Sequence, residues 1–240
     1  MRNVSIAMLG MVALAGCSAG QGDGPGIAPN GSGPTRTYAV ADFSRIELAG
    51  SDDVDVRAGT AFSVRAEGPP DDLDSLRIAR DGDALTIGRK RSFGWGRRGK
   101  VKVYVTLPRL TEASIAGTGT MAVDRIEGSA FTANVAGSGD LNIAALAVDR
   151  AEVSIAGTGD VRAGGSVEDL DVSIAGTGSL DAAGLRAARA AVSVAGTGDV
   201  RAAVSGTAKV DLLGTGDVDL GAAARCTVSK MGTGSVRCGR

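Results

Sequence analysis

The chain has 240 residues, of which 37 are glycine, only 3% are aromatic and none is histidine. Without an imidazole, Ser-His-Asp hydrolysis and His-ligated zinc are excluded, and a formal net charge of −1 argues against recruiting nucleic acid by bulk charge. The scarcity of aromatics also disfavours an aromatic-lined site for sugars or bases. So much glycine is typical of either a disordered segment or a repeat.

The N-terminal segment has the pattern of an export signal. Arg2 precedes an apolar stretch, residues 4–15, which is too short to span a membrane as a helix. It ends in Leu14-Ala15-Gly16-Cys17, which resembles the lipobox of bacterial lipoproteins. This resemblance implies a signal peptide over residues 1–16 and a lipidated Cys17, whereas the alternative is an ordinary signal peptide with an incidental cysteine. Ser18 is similar to the outer-membrane sorting pattern, which implies a periplasmic or surface-facing protein on that membrane.

Two further segments precede the repeats. Residues 17–37 are rich in Gly, Pro and Ser without apolar periodicity, which predicts a flexible tether. Residues 38–112 alternate apolar and polar side chains, most clearly at Val101, Val103 and Val105. This alternation predicts about six strands and no helix, with a turn at Gly68-Pro69-Pro70.

A cationic loop is predicted between two of these strands. It brings five cations close to the single Trp of the chain, and its predicted anionic-ligand residues are Lys90, Arg91, Trp95, Arg97, Arg98 and Lys100. Guanidinium and indole groups together suit lipid headgroup phosphates or acidic glycans. The alternative is a solvated loop whose rings cover the end of the neighbouring structure.

Residues 113–240 contain seven copies of a Gly-Thr/Ser-Gly motif, beginning at Gly117, Gly137, Gly157, Gly176, Gly196, Gly214 and Gly232. Slim aliphatic residues recur two and four positions before, and four and six positions after, the first glycine of most copies. One repeat of about 20 residues cannot bury its own apolar side, but a stack of repeats can. The fold class predicted is therefore all-β, a parallel β-solenoid whose rungs have two strands, a Gly-Thr-Gly corner and a less regular third segment.

Two sets of residues within the repeats are site candidates. Acidic residues recur three positions after the first glycine, at Asp140, Asp160, Asp199 and Asp217. Their oxygens suit Ca²⁺, although capping of the turn is the simpler interpretation. Cys226 and Cys238 lie at inward positions on either side of Gly232, which predicts a disulfide closing the last rung, or else two buried thiols. Lys230 replaces an aliphatic residue there, as expected for a rung with no further neighbour.

The chain resembles the bacterial head GIN domain family, described as auto-transporter adhesins. The resemblance covers residues 38 to about 238. It rests on the run from Phe43 to Gly50, on Val54-Asp55-Val56, on Asp83-Ala84-Leu85-Thr86-Ile87, on the strand from Val101 to Pro108 and on the Ala-Gly-Thr-Gly-Asp-Val repeats. It implies an exported β-protein and brings no catalytic residues.

The function predicted is a non-catalytic lipoprotein that acts as a surface or envelope adhesion module, with no cofactor and no nucleic-acid partner. Its expected partners are the membrane, through the lipid anchor, and an envelope glycan, lipid headgroup or protein. The alternatives are a periplasm-facing structural or envelope-stress lipoprotein that binds envelope polymer, and a polysaccharide-active β-helix enzyme. No P-loop or nucleophile elbow is present in the sequence.

Overall fold

The computed structural model describes residues 26–90 and 99–239, and the predicted signal peptide and Cys17 lie outside these ranges. The described chain is an all-β parallel solenoid with an N-terminal β portion, as the sequence predicts. The N-terminal elements are β1 (Pro29–Asn30), β2 (Thr35–Tyr38), β3 (Arg45–Gly50), β4 (Asp53–Ala58), β5 (Ser63–Glu67), α1 (Pro70–Ser75), β6 (Leu76–Asp81), β7 (Ala84–Arg89) and β8 (Lys102–Leu107).

The repeats form the rest of the stack. Their strands are β9 (Glu112–Gly117), β10 (Thr120–Gly137), β11 (Asp140–Gly157), β12 (Val161–Gly176), β13 (Leu180–Gly196), β14 (Val200–Val204), β15 (Thr207–Gly214), β16 (Val218–Asp219), β17 (Arg225–Met231) and β18 (Val236–Arg237). Each repeat pairs in parallel with the next, so that its corner glycine aligns with the next one. The predicted rung register is thereby confirmed.

The corner glycines are required by both conformation and packing. Gly157 has φ +132°, a region that side chains with a Cβ rarely adopt. A Cβ on Gly157 would also overlap the carbonyl oxygen of Gly137 on the preceding rung. Rungs about 4.8 Å apart therefore leave no room for a side chain at this position.

The third segment of the rung is more regular than the sequence suggests. β10 and β11 run without interruption from one corner to the next and stay paired over nearly their whole length. The bend between the second and third sides is instead absorbed by irregularities in the pairing register, for example between Ile143 and Leu146. The sequence obscures this strand because small residues at the bend interrupt the alternation of apolar and polar side chains.

The N-terminal strands extend the same stack, but out of chain order. β3 pairs in parallel with β7 on one side and β9 on the other, while β4 lies between β8 and β10. The rung built from β3 and β4 therefore lies between the rung of β7 and β8 and the first Gly-Thr-Gly rung, that of β9 and β10. Antiparallel pairing of β6 with β7 and of β5 with β8 completes this end.

Two local features differ from the sequence expectation. A six-residue helix, α1, lies where only a turn is predicted, with Pro70 at its start and Asp71 and Asp72 in its first turn. It is too short to show an apolar period. The predicted tether, residues 17–37, also contains strand: β1 lies wholly within it and pairs with β2, which lies partly within it. Arg36 of β2 is buried, and its guanidinium lies 2.6 Å from Asp74.

The core is one continuous apolar column that runs from Tyr38 to Ala224. In the repeats it consists of Val, Ile, Leu and Ala, with Phe131 as the single aromatic after residue 113, 1% exposed. The narrow lumen therefore explains why aromatic residues are scarce in this chain. Among the described residues, no helix is long and apolar enough to cross a membrane.

Candidate functional site: an anchored loop, a lateral groove and a closed terminal rung

The cationic loop joins β7 to β8, at the line of corners where the repeats carry Gly-Thr/Ser-Gly. Of its predicted ligand residues, Arg91, Trp95, Arg97 and Arg98 lie outside the described residues, whereas Lys90 and Lys100 mark its two ends. Lys90 Nζ donates to the Asp74 carbonyl oxygen at 2.9 Å, and Lys100 Nζ lies 3.2 Å from Asp53 Oδ1. Both terminal lysines thus contact the solenoid.

A buried ion cluster fixes the base of this loop. Arg89 Nε donates to Asp52 Oδ2 at 2.7 Å, its Nη2 donates to Asp52 Oδ1, and its Nη1 donates to Asp72 Oδ1 at 3.2 Å. The hydrogen bonds from Arg89 to Asp52 hold the pKa of the guanidinium above its ordinary value. The two carboxylates also accept from the loop's backbone, Asp72 from Gly99 N and Asp52 from Val101 N, each at 3.0 Å.

Sequence reasoning missed this cluster, although one signal was available. Asp52 occupies the third position of the corner Gly50-Ser51-Asp52, where the repeats carry the second glycine of Gly-Thr-Gly. The side chain of Asp52 is 1% exposed, and that of Arg89 is 10% exposed. Asp52, a carboxylate where the repeats carry glycine, was therefore the sequence signal for the rung whose side chains bind the base of the loop.

The aspartate column caps backbone groups of the next rung. Asp140 Oδ1 accepts from Asp160 N at 3.2 Å, and Asp160 Oδ1 accepts from Ser179 N at 3.1 Å. Asp199 and Asp217 repeat the pattern, and Asp217 accepts from both the hydroxyl and the amide of Ser235. The Ser235 hydroxyl is the main cause that lowers the pKa of Asp217.

The carboxylates do cap backbone groups, but they accept from the next rung and not, as the turn-capping interpretation expects, from the backbone of their own turn. A carboxylate that accepts a backbone N–H from the following rung is satisfied without a cation. Within residues 26–90 and 99–239, no group of three or more Asp, Glu or Cys side chains is arranged to hold a metal ion.

A shallow groove of about 710 Å³ runs along the outside of the solenoid. It crosses the strands that follow the corners, from β4 to β13, so that its long axis lies along the stack. The paired register places Asn142, Arg162 and Asp181 on successive rungs in one outward column. The polar residues of its walls are Asp55, Arg57, Asp124, Asn142, Arg162 and Asp181. The small residues of its floor are Ala144, Gly164, Ala183 and Gly184.

The carboxylates of the groove have partners. Asp55 lies 3.1 Å from Arg57 Nε, and this contact raises the pKa of Arg57. Asp124 accepts from Ala58 N at 2.9 Å, and Asp181 accepts from Ala183 N at 3.4 Å. These contacts fix the orientation of the three carboxylates. Carboxylate oxygens held in this way can accept hydrogen bonds from the hydroxyl or amide groups of a ligand.

The predicted disulfide between Cys226 and Cys238 is present and closes the terminal rung. The two cysteines are 12 residues apart in sequence, on β17 and just after β18. Lys230, at the position where earlier rungs carry an aliphatic residue, donates from Nζ to the Gly234 carbonyl oxygen at 2.9 Å. The disulfide thus takes the place of the third side of the rung.

The described residues thus form a stacked β-solenoid with a polar lateral groove and a terminal rung closed by a disulfide. The profile of the family "Putative auto-transporter adhesin, head GIN domain" matches residues 42–224. The chain belongs to this family.

Solved structures share the fold. A "putative adhesin" from Bacteroides fragilis NCTC 9343 superposes with a TM-score of 0.78 at 22% identity, over 85% of this chain and 95% of that one. A "putative lipid binding protein" from Parabacteroides distasonis ATCC 8503 gives 0.68 at 21% identity, over 88% and 98%. A "putative adhesin" from Parabacteroides merdae ATCC 43184 gives 0.68 at 20% identity, also over 88% and 98%. The chain has no significant match among curated proteins.

Proposed function

We propose that this protein is a non-catalytic adhesion module of the bacterial cell envelope, lipid-anchored at Cys17, that binds an extended polar polysaccharide in its lateral groove. The groove is the observation that carries the proposal. It presents an amide, a guanidinium and a carboxylate on successive rungs at Asn142, Arg162 and Asp181. Membership of a family described as adhesins supports a binding role.

The periodicity of the groove suits a linear sugar polymer. Rungs recur about every 4.8 Å, which is comparable to the rise of one residue in an extended β-linked polysaccharide. Small residues such as Ala144 and Gly164 on the floor let a sugar ring approach the backbone, while the flanking polar side chains meet its hydroxyls. Because the same contacts recur on successive rungs, several weak contacts with one polymer together give a higher overall affinity.

The test is calorimetric titration with β-1,4-linked N-acetylglucosamine oligomers of increasing length. Affinity should rise with oligomer length until the groove is filled. Arg162→Ala should weaken binding about tenfold, because it removes hydrogen bonds from a charged donor. The matched control is Arg150→Ala, an exposed arginine of β11 that does not line the groove and should leave affinity unchanged.

Two results would count against a groove that binds glycan. One is the absence of binding by every oligomer. The other is an equal loss of affinity in the Arg162 and Arg150 variants, which would indicate unspecific charge attraction. Release of reducing ends during the titration would instead support the polysaccharide-active enzyme.

The cationic loop favours a second candidate function, binding of anionic headgroups. The Asp52–Arg89–Asp72 cluster holds Arg89 and Gly99, on either side of the cationic loop, in place. Replacing Arg97 and Arg98 by Ala should reduce sedimentation with phosphatidylglycerol vesicles and leave glycan titration unchanged. Vesicle binding that the double variant retains in full would dismiss this role of the loop.

Exposure on the cell distinguishes an adhesin from a periplasm-facing lipoprotein. Brief protease treatment of intact cells should remove the protein if it faces outward, and a periplasmic control protein should survive. Metabolic labelling with an alkyne fatty acid should mark the wild-type chain but not a Cys17→Ser variant. A protected, labelled protein would support the periplasm-facing alternative.

A further inference from the structure

The C-terminal end of the solenoid is an open strand edge. β17 pairs with β15, and β18 pairs with β16, while no strand among the described residues pairs with their other sides. The opposite end differs, because the antiparallel strands β5 and β6 pair with its last parallel strands, β8 and β7. An unpaired edge is a template for another strand.

The backbone groups on that edge can be identified. Arg225 N donates to the Gly206 carbonyl oxygen at 2.8 Å, so the peptide groups of Arg225 point back into the stack. Because these groups alternate in direction along a parallel strand, those of Cys226, Val228 and Lys230 point to the open side. The disulfide at Cys226 holds this strand in the closed rung.

Exposed apolar side chains accompany these open groups. Val228 is 45% exposed, whereas Val210, its register partner one rung earlier, is fully covered. Met231 is 73% exposed and Leu213 is 56% exposed. Both occupy a column that holds alanine in the earlier repeats, for example Ala195. The last two rungs thus present an apolar margin beside the open edge.

The charge of this end selects the kind of strand that fits. Arg225, Lys230 and Arg237 belong to the terminal rung, and the sequence contains no Asp or Glu after Asp219. A second copy joined through the same end would bring like charges together. Lys230 lies in the inward column, where a charge disfavours pairing with an apolar strand. An acidic side chain stacked above Lys230 would instead be attracted to it.

We propose that the terminal rung binds an extended acidic peptide segment by β-augmentation of β17. The segment adds one more strand, with its backbone bonded to Cys226, Val228 and Lys230. Its apolar side chains cover Val228 and Met231, and its carboxylates face Arg225 and Lys230. This mode of recognition takes affinity from main-chain hydrogen bonds and specificity from alternate side chains. It is a protein-binding site separate from the groove.

The test uses the full-length chain with its disulfide oxidised and the probe fluorescein-Glu-Thr-Thr-Val-Thr-Glu-Val-amide. Fluorescence anisotropy should show binding about tenfold tighter than that of the same peptide with Lys in place of both Glu. Hydrogen exchange should show that the Glu peptide protects the amides of Cys226, Val228 and Lys230. A probe N-methylated at the alternate amides that would face β17 should lose binding, because it keeps the charge but cannot form the main-chain hydrogen bonds that extend the sheet.

Charge reversal locates the site. The double variant Arg225→Glu, Lys230→Glu should weaken the Glu peptide about tenfold. The control is the single variant Arg201→Glu. Arg201 is exposed and lies in the same outward column as Arg237, two rungs earlier. This variant should change the affinity for the Glu peptide less than about twofold. Equal binding of the Glu and Lys peptides, full binding by the N-methylated probe or unprotected amides would overturn the proposal. So would an end-to-end dimer in sedimentation, since the edge would then already be occupied.

Discussion

Removal of Arg89 tests whether a buried ion cluster anchors the cationic loop. The side chains of Arg89, Asp52 and Asp72 are 10%, 1% and 13% exposed. Arg89→Met keeps the apolar stem and removes the cation, so among the described residues the buried Asp52 carboxylate keeps the Val101 amide as its hydrogen-bond donor. The variant therefore leaves an unpaired charge inside the stack and also removes the hydrogen bonds from Arg89 to Asp72, Ser75 and Gly99.

The expected loss of stability is large. Breaking a buried pair by removing one partner costs about 3–5 kcal/mol, which corresponds to a fall in Tm of roughly 6–20 °C for a domain of this size. The matched control is Arg45→Met, whose partners Asp83 and Glu112 have side chains that are 54% and 26% exposed. An exposed pair of that kind contributes about 0–1 kcal/mol. Urea unfolding followed by circular dichroism at pH 7 measures both changes.

A second substitution separates charge from packing. In the Arg89→Met background, Asp52→Asn removes the unpaired charge but keeps an oxygen that can accept from Val101 N. The double variant should therefore be more stable than Arg89→Met alone. If Arg89→Met costs no more than Arg45→Met, or if Asp52→Asn brings no recovery, the cluster is not a buried anchor and the fixed base of the loop is refuted.

Three further predictions concern the solenoid itself. Cys226→Ser opens the disulfide and should cost about 3 kcal/mol, with faster hydrogen exchange confined to the terminal rung. Gly50→Ala should cost about 1–3 kcal/mol for its φ of +143°, since a Cβ there meets nothing within 4 Å. Gly157→Ala has the same backbone strain, and its Cβ also overlaps the Gly137 carbonyl oxygen of the preceding rung. This overlap should lower the free energy of unfolding in urea by about a further 1–3 kcal/mol, the usual cost of overpacking. The Ser235 hydroxyl lowers the folded-state pKa of Asp217, so the stabilising contribution of this carboxylate is present above its unfolded pKa and lost as pH falls through its folded pKa. The difference in Tm between wild type and Asp217→Asn should therefore shrink as the pH is lowered through the acidic range.

The repeats were predictable because their constraints are local and recur in register. A corner that demands a positive φ and no Cβ can be met only by glycine, so Gly117 and Gly137 had to stand out in the sequence. The lumen demands slim apolar residues, which gave the columns around each corner. The third side was less visible, because register irregularities such as that after Arg162 break the alternation of side chains.

The site was less predictable, since it depends on pairings between distant segments. Asp52 and Arg89 are 37 residues apart and meet only because β3 and β7 are neighbours out of chain order. The groove likewise depends on β4 lying beside β10, which brings Asp55 and Arg57 next to Asp124. In contrast, the disulfide and the capping role of Asp217 follow the repeat period and could be inferred from it.

The order of stacking also determines where the solenoid opens. A linear array of repeats frays from its ends, because each rung is stabilised only by its neighbours. At the N-terminal end, the rung of β3 and β4 is held on both sides by strands that lie later in the chain, so it cannot detach without breaking long-range pairing. At the C-terminal end, β17 has one neighbour and depends on the Cys226–Cys238 bridge to stay closed. Local opening should therefore begin at β17, the strand proposed to capture an acidic segment, whereas the groove lies on rungs with neighbours on both sides. An added strand would then stabilise the weakest rung, and slower hydrogen exchange in β15 as well as β17 on peptide binding would report this coupling.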